Sequence, residues 1–376
     1  MRLHLLALAA AIAAAPRPLD AQTDVRALVA RLDSAVPALL RESHSPGAAV
    51  AVVEGGRIVL ERGYGVANVA TGAPFTSHTP LNVASVSKAV SAWGFLRLAR
   101  EGRMPLDTPV NALVRRWRLP DGAAPAREVT VRRLLGHTGG VGVPSVPWFR
   151  ADSAVPSLED VLEGRAGGRG PVRVETAPGS GWRYSGGGYT LLQLAAEETS
   201  GVEFEAYMRE RVLRPLGMKE SGFGIPGRGA ATGYDEGGQP VPAYRYVGAA
   251  AGGLMASAHD FARLLRTYGR AWSGADRRVL SRTELEEMAR PMAPVVLEGV
   301  SGAFYGLGHG THRAPDGRLY LYHSGGNPGF RAYFLVAPER GDGVFIAVSS
   351  DNGVPVITRV LQLWSEAHGG GLPPLY

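Results

Sequence analysis

The sequence predicts an α+β protein: an antiparallel sheet built from both chain ends and flanked by helices, with a mainly helical lobe inserted between. Three observations lead there. Strand-like runs open the chain and return as a meander near its end, whereas helical spacing broken by glycine and proline loops dominates the middle. A hydrophobic content of 45% over 376 residues is enough to bury a sizeable core.

The first residues stand apart. Arg2 gives a short positive start, Leu5 to Ala15 is an apolar run of signal-peptide length, and small residues follow up to Ala21. Residues 1–21 are therefore expected to be an export signal. The run is shorter than the roughly 20 residues of a spanning helix, and no later stretch is apolar enough to cross a membrane. Cysteine is absent, which excludes disulfides, thiolate metal sites and a lipid-anchored cysteine. The expectation is an exported chain, periplasmic or extracellular, with residues 22–376 as one domain. Its α/β region covers residues 22–105 and 255–376, and its helical lobe covers 106–254.

Within that domain, Asp24 to Arg41 carries apolar residues at helical spacing. Gly47 to Asn68 reads as a hairpin turning at Glu54-Gly55-Gly56. A helix spans Ala84 to Glu101 and stops before Gly102 and Pro105. Shorter helices are predicted at Val131–Leu135, Leu158–Glu163, Tyr189–Thr199, Phe204–Leu213, Asp260–Trp272 and Arg282–Met288. The period then changes to strands over Tyr305–His312, Arg318–His323, Phe330–Val336 and Val344–Ser350. Turn residues separate them, among them Gly325 to Gly329, and a helix over Val354–Ala367 closes the chain.

The net charge is +6, but the basic residues are scattered, so no nucleic-acid partner is expected. All of the 40 basic residues except Lys88 and Lys219 are arginine. Arginine stays protonated, whereas a desolvated lysine can lose its proton and act as a base. Lys88 stands three residues after Ser85, at the start of the predicted helix, so the two side chains share a face. A serine hydroxyl needs such an adjacent base to become a nucleophile. The same pair also fits a helix-capping serine beside a surface lysine, and two further motifs bear on the choice. Tyr184 precedes a glycine run leading into a helix, and a phenol beside a cation can serve in proton transfer. His323-Ser324-Gly325-Gly326 ends a strand, where histidine can donate or carry charge and glycine admits a close backbone.

Taken together, Ser85-Val86-Ser87-Lys88, Tyr184-Ser185-Gly186 and His323-Ser324-Gly325 resemble the three ordered motifs of penicillin-recognising serine hydrolases. The branch is that of class C β-lactamases, D-alanyl-D-alanine carboxypeptidases and related esterases. The flanking segments VTVRRLLGHTGGV (129–141), PLGMKESGF (215–223), AAGGLMASAHDFARLL (250–265) and YGLGHG (305–310) are similar to that family too. The resemblance implies a β-lactamase/transpeptidase-like fold and an acyl-enzyme on Ser85. Lys88 and Tyr184 would share proton transfer, and the backbone N–H groups of Ser85 and Gly326 would form the oxyanion hole. Substrate would be bound by His323, Ser324, Gly325, Gly186 and Asn327. No cofactor is implied. The substrate would be a small molecule or peptide, with cell-wall-derived peptides among the candidates.

Two departures from the family pattern shape the expectation. The tyrosine motif commonly ends in asparagine, and Gly186 has no side chain; Asn327 is the candidate to replace it in part. His323 stands where many relatives have lysine, and a histidine of ordinary pKa is only partly charged near pH 7. Both changes favour a small ester or D-amino-acid peptide over penicillins and cephalosporins. The alternatives are a weak class C-type β-lactamase and a non-catalytic envelope-binding protein on the same fold. No metal is expected: His309 and His312 point to opposite faces if they share a strand. His137 is read as bracing a loop. Trp148, Tyr244 and Tyr246 are assigned either to the cleft or to packing.

Overall fold

Asp24 accepts a hydrogen bond from the Ala27 N–H at 3.0 Å and so starts a helix over Val25–Glu42. This is the first element of the computed structural model, which describes residues 24–145, 147–167, 170–224, 227, 229–295 and 302–373. The expected export signal, residues 1–21, lies outside the described residues. Leu28, Leu32, Val36 and Leu40 form the buried stripe of this helix.

The hairpin follows as Gly47–Glu54 and Arg57–Asn68. Its turn runs through Gly55 and Gly56, at φ 54° and 75°, where a side chain would be strained. Gly47–Glu54 then pairs antiparallel with Asp342–Val348, from Ala48 opposite Val348 to Val53 opposite Gly343. The two chain ends therefore share one sheet. Its nine strands run in the order Ala73–Pro74, Arg57–Asn68, Gly47–Glu54, Asp342–Val348, Phe330–Ala337, Leu319–Asn327, Gly310–Arg313, Phe304–Tyr305 and Ala293–Pro294.

Both faces of this sheet are covered, which explains why its central strands are almost uniformly apolar rather than alternating with polar residues. Along Gly47–Glu54, Ala48, Val50 and Val52 pack with the helices Val25–Glu42 and Val354–Ala367. Ala49, Ala51 and Val53 face the opposite core, shared with the helices Val86–Arg100 and Ala258–Trp272. That second core continues through Leu134, Leu191 and Phe204 of the segments inserted between the two halves of the sheet. Sheet and helical lobe are thus joined by continuous apolar packing.

Three elements differ from the sequence expectation. The Tyr305–His312 strand is two strands, Phe304–Tyr305 and Gly310–Arg313, which pair with each other across a turn where Gly308 adopts φ 81°. The expected Gly325–Gly329 turn is mostly strand, because Gly325, Gly326 and Asn327 pair with Ala332, Arg331 and Phe330. The Tyr189 helix starts earlier, at Gly186, because the Ser185 hydroxyl caps it by accepting from the Gly188 N–H at 2.9 Å. The segments Val131–Leu135 and Val354–Ala367 are helical over those residues.

Trp364 fixes the closing helix to the sheet. It is buried, and its indole N–H donates to Glu54 Oε1 at 3.2 Å. Trp364→Ala is expected to cost about 3–5 kcal/mol through lost burial and the cavity left behind. The checking measurement is the urea midpoint of the variant against wild type, which should fall markedly.

Candidate active site

The N-terminus of the Val86–Arg100 helix is built by the residues just before it. Asn82 Oδ1 accepts from the Ala84 N–H at 2.9 Å, and Ala84 adopts φ 50°, a costly conformation for a residue with a Cβ. Ser85 occupies the cap position but makes no capping hydrogen bond with its side chain. Instead Lys88 Nζ donates to Ser85 Oγ at 3.1 Å. The capping alternative is thereby removed.

Lys88 is 2% exposed, one turn further into a helix buried nearly all round. Its ammonium lies 4.8 Å from the centroid of the Tyr184 ring and donates to the Ala251 carbonyl at 2.6 Å. Among the described residues no carboxylate pairs with it. Burial without a compensating anion disfavours the charged form and lowers the Lys88 pKa to about 7. Tyr184 shifts in the opposite sense. Burial of its phenol raises the pKa above the ordinary value, and a hydrogen bond with Ser85 offsets part of that rise. Near neutral pH the lysine is thus partly free amine while the tyrosine keeps its proton.

The Tyr184 loop is braced from below. The Ser185 N–H donates to His137 Nδ1 at 3.2 Å, and the His137 ring lies against Tyr184 and Tyr305 at centroid distances of 4.4 and 4.8 Å. Burial holds the His137 pKa well below the usual histidine value. The loop-bracing role expected of His137 agrees with these contacts.

A cavity of about 490 Å³ opens over Ser85 and Lys88. Tyr184, Gly186, Gly326 and Asn327 line it, together with Trp148, Tyr246, Pro144 and the Ala251-Gly252 backbone. Trp148 and Tyr246 reach it from a two-stranded ribbon, Trp148–Arg150 against Tyr244–Tyr246. Tyr244 packs on Trp148 with ring centroids 4.2 Å apart and does not line this cavity. Gly186 donates its N–H to the Pro144 carbonyl at 3.0 Å, which anchors the helix start beside the cavity.

His323, Ser324 and Gly325 do not line the cavity, and each needs a correction. His323 is 2% exposed; its Nδ1 donates to the Ser324 carbonyl at 2.6 Å, and its Nε2 accepts from the Tyr305 hydroxyl at 2.9 Å. Burial, reinforced by the neighbouring Lys88 charge, lowers its pKa to about 3, so even the partial charge expected of an ordinary histidine is lost near neutral pH. Ser324 falls on the opposite face of the strand by simple alternation, where it borders a separate cavity with Ile357 and Leu361. At Gly325 the close backbone is the protein's own: an added Cβ would lie 2.3 Å from the Val83 carbonyl oxygen and 3.1 Å from the Ser85 nitrogen.

Asn327 also acts differently from expectation. Its amide donates to Asn82 Oδ1 at 2.6 Å and to the Gly252 carbonyl at 3.1 Å, so it ties the strand end to the loop before Ser85. The polar partner of Lys88 beyond Ser85 is instead the Ala251 carbonyl, a backbone group that the sequence does not flag. His309 and His312 are likewise separated: His309 is buried against the Tyr268 hydroxyl, while His312 Nδ1 lies 3.3 Å from the Gly302 carbonyl.

The family description Beta-lactamase matches residues 31–364 of the chain. The esterase EstB of Burkholderia gladioli is 34% identical over 245 residues, covering 61% of this chain and 60% of EstB. Penicillin-binding protein 4 of Amycolatopsis lactamdurans is 30% identical over 333 residues, covering 84% of each chain. The octameric penicillin-binding protein homologue from Pyrococcus abyssi superposes with a TM-score of 0.75 at 28% identity, covering 91% of this chain and 78% of its own. SurE, solved with D-Leu, gives 0.71 at 26% identity, covering 93% and 78%.

The Gly325 contact generates a direct test. Gly325→Ala should push the strand off the Val83–Ser85 turn and so lower the melting temperature. Gly181→Ala, where an added Cβ meets nothing within 4 Å, should leave the melting temperature within a few degrees of wild type. The two thermal scans, run side by side, check this.

Proposed function

The chain belongs to the Beta-lactamase family, a family of serine hydrolases, and on that premise we propose that it hydrolyses an ester or amide through an acyl-enzyme on Ser85. The substrate class is a small ester or a D-amino-acid peptide. The observation that carries the proposal is the buried Lys88 ammonium, held on Ser85 Oγ at 3.1 Å with its pKa near 7.

In this reading the free Lys88 amine takes the Ser85 proton as Oγ attacks the carbonyl carbon. The Ser85 and Gly326 N–H groups receive the developing oxyanion, each contributing about 10²–10³ in rate. Tyr184, protonated at neutral pH, passes a proton to the leaving group and regains it from the Lys88 ammonium. Water then attacks the acyl-enzyme with the proton transfers reversed, and Ser85 is restored. The Ala251 carbonyl holds Lys88 in place throughout, a task that no side chain at Gly186 can perform.

The preference for esters and D-peptides over β-lactams rests on two features. Gly186 offers no amide to a substrate, and His323 offers no charge to a carboxylate. EstB supports the ester arm by its name, and the D-Leu complex of SurE supports the D-amino-acid arm. A binding protein without turnover is disfavoured by the depressed Lys88 pKa, which serves proton transfer and nothing in simple binding. Export is part of the proposal and rests on the composition of residues 1–21.

A fluorophosphonate probe should add its mass to Ser85, and Ser85→Ala should lose both labelling and hydrolysis of p-nitrophenyl esters and D-aminoacyl anilides. A folded wild-type protein that never labels would sink the proposal. Because Lys88 must be neutral to act, kcat/KM should fall about tenfold per pH unit below pH 7 and level off above it. The same group sets a stability trend. Its folded pKa is depressed below the ordinary lysine value, so the unfolded chain binds the extra proton between about pH 7 and 10. Wild type should therefore gain stability relative to Lys88→Met as the pH rises across that window, measured by urea unfolding.

A further inference from the structure

Away from the Ser85 cavity, two histidines and a glutamate from distant parts of the chain meet. His78 Nδ1 lies 2.7 Å from Glu220 Oε1, and the rings of His78 and His259 approach to 4.3 Å between centroids. One nitrogen or oxygen from each of His78, Glu220 and His259 lies within 4.8 Å of the others. Tetrahedral zinc, with bonds of about 2.0–2.1 Å, separates its ligand atoms by roughly 3.3 Å, between the contact already made and that outer limit.

The surroundings are arranged around these donors. His259 Nδ1 pairs with Glu61 Oε2 at 2.7 Å, which leaves Nε2 with its lone pair free to ligate. The Ser257 hydroxyl donates to Glu220 Oε2 at 2.7 Å and leaves Oε1 toward His78. Arg263 lies 3.4 Å from the other Glu61 oxygen and holds that carboxylate in place. The chain near the ligands is fixed as well: the His259 N–H donates to the Ser77 carbonyl, and the Glu220 N–H to Asp260 Oδ2.

Topology makes the cluster more than a surface ion pair. A three-stranded sheet pairs Leu81–Asn82 and Gly222–Phe223 with the two sides of Leu254–Ala256, both antiparallel. His78 precedes the first strand, Glu220 precedes the second and His259 follows the third, so antiparallel pairing gathers all three at one end of this sheet. At its other end lie the Val83–Ser85 turn and the Ala251-Gly252 carbonyls that hold Lys88 and Asn82.

We propose that His78, Glu220 and His259 form a zinc site that staples the end of this small sheet, with Glu61 as the outer carboxylate that orients His259. Two imidazole nitrogens and one carboxylate oxygen suit Zn²⁺, and the open side provides a fourth position for water. Zinc would take the place of the His78 Nδ1–Glu220 Oε1 hydrogen bond, with the imidazole proton carried on Nε2. The site adds no step to catalysis; it ties together the segments that carry Ser85 and Ala251.

The test is zinc chloride titration of the EDTA-treated full chain, by calorimetry and by competition with a chromogenic chelator. One zinc per chain is expected, with a dissociation constant on the order of micromolar. His78→Ala and His259→Ala should each weaken binding at least about tenfold, and Glu61→Gln by about 10–100-fold without removing a ligand. At a hundredfold excess over the dissociation constant, zinc should raise the melting temperature of wild type by about 2–5 °C and leave that of His259→Ala unmoved. His78 has a largely exposed side chain, so its variant keeps the test independent of folding. No binding at 100-fold above micromolar zinc, or binding unchanged in the His78→Ala/His259→Ala double variant, overturns the site.

Discussion

The arrangement depends on one close approach, that of Gly325 to the Val83–Ser85 turn. A Cβ there has no room, and its absence lets a strand of the large sheet lie directly against the start of the Val86–Arg100 helix. Gly326 is thereby carried to the lip of the cavity, beside Ser85. The turn accepts strain at Ala84 to meet the strand, and Asn82 stabilises that strained turn through its Oδ1. The same Asn82 bonds Asn327 from the strand and the Gly252 carbonyl from the helical lobe. Three otherwise separate pieces of backbone are joined through one buried amide, and such a network is rigid because each member's partner is already used.

Above that frame, desolvation selects which group can exchange protons near neutral pH. His137, His309 and His323 are all driven toward the neutral form, and the buried tyrosines toward the protonated form. Lys88 responds to the same environment, but a lysine starts so high that the shift brings it to about 7 instead of out of range. One apolar, aromatic setting therefore favours the neutral form of imidazole and amine alike. An arginine at position 88 would not respond in this way, since its guanidinium stays charged.

Much of the fold was legible because it is written in local patterns. The Val131–Leu135 and Val354–Ala367 helices follow from runs read in the sequence alone, and the structure shows Thr130 capping the first and Pro355 in the first turn of the second. The splitting of Tyr305–His312 was not, since Gly308 signals a turn only once the two halves are seen to pair. At the site, Ser85, Lys88 and Tyr184 were readable because their side chains are of reactive types set in ordered motifs, and the fold brings the three together. The Ala251 carbonyl was invisible because every residue has one. The state of His323 depends on burial beneath Tyr305 and Tyr184, and the side on which Ser324 falls depends on strand register; neither is a property of the triplet itself. His78, Glu220 and His259 share no spacing at all, since only the pairing of three short strands gathers them.

The pairing of the two chain ends also constrains how the protein is made. Ala48 lies opposite Val348, so an interior strand, third from one edge of the sheet, waits for a partner about 300 residues later. At roughly 5–20 residues per second, synthesis separates the two by about 15–60 s. During that interval the apolar run Gly47–Glu54 has its hairpin neighbour on one side and an open edge on the other. Contacts of such long range make slow folding and leave that edge available to other chains. Early in the life of the molecule, then, a strand buried along its whole length in the folded state is its most vulnerable one, and a holding chaperone has a defined segment to shield.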